Sequence, residues 1–166
     1  MIRRLMRFCT RTLLIALILV GCVGCDQTSK VLVRDYLPLG EPYRLAGNVF
    51  QVVHAENPGA FLSLGAGWPS GARSAAFIIG AAVIVAALLV WAIRASRLAF
   101  MHRIGLTLFA AGGFSNLLDR LFHGGLVTDF LYLQAGPLHT GIFNLADLVL
   151  VAGVVCLLWP RFQARP

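Results

Sequence analysis

Two aspartates, in Val127-Thr128-Asp129-Phe130 and Phe143-Asn144-Leu145-Ala146-Asp147, stand among apolar neighbours, each associated with an asparagine-bearing apolar segment. An ionisable side chain at membrane depth is costly, so function is the default hypothesis for it. Two carboxylates held close together do not both ionise readily; one keeps its proton while the other acts as base toward water. That division of labour is acid-protease chemistry. Asn144 and Asp147 are spaced i,i+3, which on a helix aims an amide and a carboxylate at one volume. Each aspartate also has a plainer reading: Asp147 as a helix-start acid favoured by the macrodipole, Asp129 as a solvated loop acid.

Other charged residues sit at helical spacings. Asp26 and Lys30 are i,i+4 and form a candidate ion pair, readable as a solvated pair ending the first span. Asn116, Asp119 and Arg120 share a face; Asp119 and Arg120 are placed to pin the end of the third span, and Arg120 equally to bind a substrate carbonyl. Other protease templates are missing: there is no GxSxG, no HExxH, and no cysteine in a polar setting with a histidine partner. Cys22-Val23-Gly24-Cys25 is a lone CxxC, and the histidines at 54, 102, 123 and 139 have no ligand spacing. No metal or cofactor is expected, and the histidines read as surface or interfacial groups.

The elements that must position these residues are membrane spans. Hydrophobic residues make up 58% of 166 positions and mean hydropathy is +0.80, above the ~45–50% apolar content of soluble domains. Spans are expected near residues 8–28, 74–93, 98–118 and 141–159. Polar residues within them, His102, Arg103, Asn116, Asn144 and Asp147, must face protein or water. Leu19-Val20-Gly21-Cys22 resembles a lipobox, which read alone would suggest a cleaved lipoprotein. Three further spans, and Arg7 and Arg11 able to snorkel, favour an uncleaved first span.

Arg3, Arg4, Arg7, Arg11, Arg94, Arg97, Arg103, Arg161 and Arg165 then fall on one side, which places both termini in the cytoplasm. All seven acids fall toward the other face. The net charge of +7 is matched by anionic phospholipid headgroups and needs no nucleic acid. Residues 35–73, rich in proline and glycine, form an outer platform with a strand at residues 48–54 and a turn at Asn57-Pro58-Gly59; residues 120–140 form an outer loop. The expected fold is a single domain, residues 1–166: an all-α membrane protein of four transmembrane helices, with a small β-containing outer (periplasmic) platform between the first two.

Asp26-Gln27-Thr28-Ser29-Lys30, Asn57-Pro58-Gly59-Ala60-Phe61, Gly112-Gly113-Phe114-Ser115-Asn116-Leu117-Leu118-Asp119-Arg120, Val127-Thr128-Asp129-Phe130 and Phe143-Asn144-Leu145-Ala146-Asp147 together resemble lipoprotein signal peptidase (signal peptidase II), in order and over nearly the whole chain. The resemblance implies an aspartyl endopeptidase of the bacterial cytoplasmic (inner) membrane, working without a cofactor. Its partners would be lipidated prolipoproteins, cut just before the diacylglyceryl-modified cysteine. It further implies Asp129 and Asp147 as the catalytic dyad, and Asn57, Gly59, Asn116, Arg120 and Asn144 as groups that hold substrate or orient the dyad. Asp26, Lys30, Gly112 and Asp119 would support the fold. The family's usual Asn-x-Gly-Ala-Ala-Phe-Ser is here Asn57-Pro58-Gly59-Ala60-Phe61-Leu62-Ser63, with the aromatic one position early, and Leu148 stands where a small residue commonly follows the last aspartate. Both changes bear on substrate preference more than on activity. A non-catalytic adaptor or carrier on the same scaffold is the alternative. The small-residue face Ala110-Ala111-Gly112-Gly113 suits helix packing within one chain, and a monomer is expected.

Overall fold

The computed structural model describes residues 2–45, 49–58 and 68–163. Four helices, α1 (Ile2–Tyr36), α2 (Ser70–Arg94), α3 (Phe100–Phe122) and α4 (Leu145–Gln163), accompany an antiparallel sheet of β1 (Pro42–Leu45), β2 (Phe50–Asn57), β3 (Val127–Ala135) and β4 (Leu138–His139), in that spatial order. Among the described residues two helical stretches are able by length and composition to cross a membrane: Phe8–Tyr36, with mean hydropathy 2.1, and Gly71–Arg94, with 2.8. Leu145–Trp159 is a shorter apolar helix. Leu17, Val20, Ile79, Val83, Val151 and Val155 lie exposed on α1, α2 and α4. An apolar exterior of this kind suits lipid better than water.

The helix α3 packs against the other three, which explains its polar content. Its Arg103, Thr107, Ser115 and Asp119 are all buried within protein, the surroundings expected of polar groups within the third span. Arg103, expected as one of the basic cytoplasmic flanks, donates to the carbonyls of Ala92 and Ala95 at the end of α2. Arg11 reaches the Ser96 carbonyl at 3.2 Å, tying α1 to the same turn. These guanidinium groups satisfy carbonyls that a helix C-terminus leaves without partners.

Glycine brings α3 and α4 together. A Cβ on Gly105 would lie 2.8 Å from the Gly153 carbonyl oxygen, and one on Gly112 would collide with the Ala146 carbonyl oxygen and the Leu150 side chain. Ala110 and Ala111 are fully buried in the helix packing. Backbones this close put residues one turn from Gly112, Asn116 among them, within reach of the start of α4.

Two sequence expectations change here. Residues 120–140, expected as a loop, hold β3 and β4, so the sheet draws strands from the connection between α3 and α4 as well as from the one between α1 and α2. Val127, Thr128, Phe130 and Tyr132 favour extended backbone, and Gly136, at φ 61°, turns the chain into β4. The Asp26–Lys30 pair lies well inside α1 with both side chains fully buried, against its plainer reading as a solvated helix end. The helix continues because Val33 carries its last turns onto the sheet, where it packs with Phe130 and Leu131, and Leu37, just past the helix end, packs against the same cluster.

Candidate active site

Asn144 starts α4 and organises what surrounds it. Its Oδ1 accepts from the Asp147 backbone N–H at 3.0 Å, and its own backbone N–H donates to Asp147 Oδ2 at 3.1 Å. This reciprocal arrangement is a capping box, and it satisfies donors that the helix start would otherwise leave bare. Asp147 is therefore a helix-start acid, as its plainer reading holds, with its Oδ1 still available to Asn116 Nδ2 at 3.1 Å. Another first-turn donor, the Ala146 N–H, is capped from a different helix by Asp26 Oδ1 at 2.9 Å. The negative charge of Asp26 at this helix N-terminus is also favoured by the macrodipole.

Asn144 reaches the second carboxylate as well. Its Nδ2 donates to Asp129 Oδ1 at 2.6 Å, while Asn57 Nδ2, at the end of β2, donates to Asp129 Oδ2 at 2.9 Å. Asn57 is opposite Val127 and Ala55 opposite Asp129 in the β2–β3 register, so Asn57 and Asp129 are diagonal neighbours on one sheet face. Asp129 is buried, at 4% exposed, which overturns its reading as a solvated loop acid. Desolvation raises its carboxyl from 3.8 to about 6 against the opposing hydrogen bond from Asn57; the charge of Asp147 pushes the same way as burial, and Asn144 and Lys30 act against it.

Behind the two carboxylates lies an ionic cluster. Lys30 Nζ contacts Asp26 Oδ2 at 2.7 Å, Asp119 Oδ2 at 2.8 Å and Asn116 Oδ1 at 2.9 Å, using all three ammonium donors. Asp26 also accepts from Ser115 Oγ at 2.7 Å, and Asp119 from Gln27 Nε2 at 3.0 Å and from the Thr128 N–H at 3.2 Å. A buried charge left without partners would be very costly; here each is surrounded. Asn116 Oδ1 also accepts from Asn144 Nδ2 at 3.1 Å, so one amide joins the cluster to both aspartates. Among the described residues no group of three or more His, Cys, Asp or Glu is arranged to hold a metal ion.

Comparison with known proteins decides the family. The family model for signal peptidase (SPase) II matches residues 17–163. The chain belongs to the signal peptidase II family. Relatives named lipoprotein signal peptidase include one from Desulforapulum autotrophicum, 34% identical with 95% of this chain and 92% of the relative covered. Another, from Moorella thermoacetica, is 34% identical with 89% of each chain covered. Among solved structures, a bacterial membrane enzyme determined by the in meso method at 2.3 Å superposes with a TM-score of 0.76 at 26% identity, over 90% of this chain and 87% of the other.

Within this signal peptidase II the residues singled out from sequence converge, with one shift of role. Asp129, Asp147, Asn57, Asn116 and Asn144 form one hydrogen-bonded set. Asp119, expected to work with Arg120 of its own segment, pairs with Lys30 of α1. Arg120 Nη1 donates to the Asn116 carbonyl at 3.2 Å, and its guanidinium lies 5.9 Å from the Phe77 ring centre. Gly59 and Phe61 lie outside the described residues. Sequence reasoning assigned no role to Gln27, Ser115, Thr128 or Arg34. Arg34 Nη1 donates to Thr128 Oγ1 at 2.8 Å, and its position four residues after Lys30 was the available signal.

Proposed function

We propose that this aspartic-type signal peptidase II removes signal peptides from prolipoproteins with Asp129 and Asp147 as its water-activating dyad, cutting just before the lipidated cysteine. The observation that carries the reading is Asn144, whose side-chain amide donates to Asp129 while its backbone and carbonyl oxygen cap Asp147, so that one residue fixes both carboxylates. The pair shares one proton, held on Asp129, where burial favours the neutral acid. Asp147 takes a proton from water as the water oxygen attacks the scissile carbonyl carbon, and Asp129 gives its proton to the carbonyl oxygen. Collapse of the resulting diol breaks the C–N bond as the leaving nitrogen takes a proton from Asp147 and a hydroxyl proton returns to Asp129.

Arg120, which stands one turn past Asn116 and donates to its carbonyl, is the group we assign to the substrate carbonyl. Losing a donor to a developing oxyanion typically costs about 10²–10³ in rate. The lipid supplies affinity and register, at about 0.8 kcal/mol per buried CH₂. The four helices cross the bacterial inner membrane with the arginine-bearing ends inward and the sheet at the outer surface, as an uncleaved single-domain monomer among phospholipids. Support for an uncleaved first span comes from α1, which runs unbroken through Cys22 and places Asp26, Gln27 and Lys30 against α3 and α4. To test the dyad, Asp129→Asn and Asp147→Asn are assayed on a lipidated prolipoprotein in liposomes. Each is expected to lose cleavage, and wild-type turnover in either would refute the assignment.

A further inference from the structure

The strand β2 carries a charged pair that the dyad does not use directly. Its ladder with β3 slips between Val52, opposite Leu131, and Ala55, opposite Asp129, so β2 holds one extra residue in a bulge that includes His54. Bulges re-aim the side chains that follow them, and the one after this bulge that reaches the site is Asn57. Both nitrogens of His54 face acceptors: Nδ1 lies 3.1 Å from the Leu37 carbonyl oxygen and Nε2 lies 2.9 Å from Glu56 Oε1. A ring between two acceptors satisfies both only by donating from both nitrogens, that is, as the imidazolium. Glu56 Oε1 also accepts from Thr128 Oγ1 at 3.2 Å, and Thr128 Oγ1 in turn accepts from Arg34 Nη1 at 2.8 Å.

Charged groups from three elements reach the His54–Glu56 pair. On β2 itself the ring faces Glu56; from α1 comes Arg34 through Thr128 of β3, with Asp119 of α3 3.9 Å behind Arg34. Lys30, Arg34 and His54 as imidazolium balance Asp26, Asp119 and Glu56. Loss of one His54 proton would leave a single ring N–H for two acceptors, so that either the Leu37 carbonyl or Glu56, whose Oε2 is buried with no hydrogen-bond partner among the described residues, would face a bare ring nitrogen. Glu56 directly precedes Asn57, and Thr128 directly precedes Asp129, with Glu56 and Thr128 opposite each other in the ladder. The contact between the two preceding residues therefore sets the geometry between the two that follow.

We infer that His54 and Glu56 are positioning residues: the protonated pair locks the β2 bulge against Thr128 and so holds Asn57 on Asp129, which makes turnover depend on the charge of His54. This rests on the dyad reading given above. The test uses the full chain in liposomes with a lipidated prolipoprotein, over about pH 5.5 to 9, where an imidazole changes charge. His54→Phe is expected to lower kcat about tenfold, with KM within about twofold, since small misplacements of orienting groups act on the chemical step. Its alkaline limb is expected to move upward, because Asp129 must keep its proton for turnover and the Asn57 hydrogen bond is the foremost of the influences that hold its carboxyl down against burial. His54→Gln keeps a donor toward Glu56 without titrating, and is expected to restore most of the rate. The ratio of wild-type to His54→Gln kcat is expected to fall with rising pH, at a midpoint matching the His54 ring titration followed by NMR in the same samples. A ratio that stays flat while the ring titrates overturns the inference, as does a His54→Phe variant altered only in KM. Should His54→Phe fail to fold, the ratio still decides. Activity surviving in Asp129→Asn would instead refute the dyad, so the two failures are distinguishable.

Discussion

Replacing Asp129 with asparagine should flatten the pH dependence of stability as well as stop cleavage, and the first effect follows from burial alone. Desolvation places the folded carboxyl at about 6 against an ordinary 3.8, and one unit is worth about 1.4 kcal/mol. The folded chain thus holds a proton that the unfolded chain releases. The stabilisation, about 3 kcal/mol in full, is present below pH ~4 and is lost as pH rises through ~6. Between pH 8 and pH 5 only part of it is recovered, about 1.4 kcal/mol. Asparagine cannot titrate and should show none of that slope. Its absolute stability at pH 8 is a poorer guide. Removing a buried negative charge is favourable, but the N–H₂ of an amide introduced at this position would meet the donor amides of Asn57 or Asn144, and an unsatisfied buried donor costs roughly 1–3 kcal/mol. The assay is equilibrium unfolding of wild type and Asp129→Asn in mixed micelles at matched pH values. A difference between the two that does not change from pH 8 to pH 5 would refute the argument that burial holds this proton.

Lys30→Met should be the most damaging change outside the proposed dyad. It strands Asp26 and Asp119 in protein, at a cost of roughly 3–5 kcal/mol, and should appear as lost folded yield and a lowered melting temperature. Gly112→Ala should destabilise by about 1–3 kcal/mol through overpacking, because its methyl meets the Ala146 carbonyl oxygen; cleavage should fall with it as α3 and α4 move apart, read from thermal melts and turnover of the same preparation. Asn144→Ala removes a helix cap, worth about 1 kcal/mol, together with the donor to Asp129. Its loss of turnover should far exceed its loss of stability, whereas equal losses would mark Asn144 as a cap alone.

The Asn144–Asp147 contact was legible because it is written in a short segment: the two stand one helical turn apart, and the spacing that suggested a shared volume is the spacing of the capping box they form. Asp26 and Lys30 were legible as a pair but not as a buried one. An i,i+4 spacing is the same whether the face meets water, lipid or protein, and only α3 and α4, whose contacts with Asp26 come from 89 and 120 residues further along the chain, decide which. The partner of Asp119 was hidden for the same reason, since Lys30 lies on another helix while Arg120 is adjacent in sequence. The outer loop was misread through its punctuation. Gly124, Gly125, Gly136 and Pro137 argued for turns, and they are turns, but the residues between them are long enough and β-branched or aromatic enough to make a nine-residue strand.

The use of asparagine at this site suits the shared proton that the proposed dyad requires. A lysine or arginine hydrogen-bonded to a carboxylate holds it ionised, lowering its pKa by roughly 1–3 units, and two carboxylates so held would leave no proton for the carbonyl oxygen. Amide donors orient a carboxylate without adding a formal charge. Asn57 and Asn144 do so for Asp129, and Asn116 does so for Asp147. The cation needed to stabilise the buried cluster stands one residue back: Lys30 is engaged by Asp26, Asp119 and Asn116, and among the influences on Asp129 it comes last, behind burial and both amides. Exchanging these positions, with the ammonium on Asp129 and an amide among Asp26 and Asp119, would conserve every residue type while removing the shared proton and leaving two buried charges without a counterion. The order from Lys30 through Asn116 to Asn144 thus keeps the structural charge compensated and the reactive charge free to move.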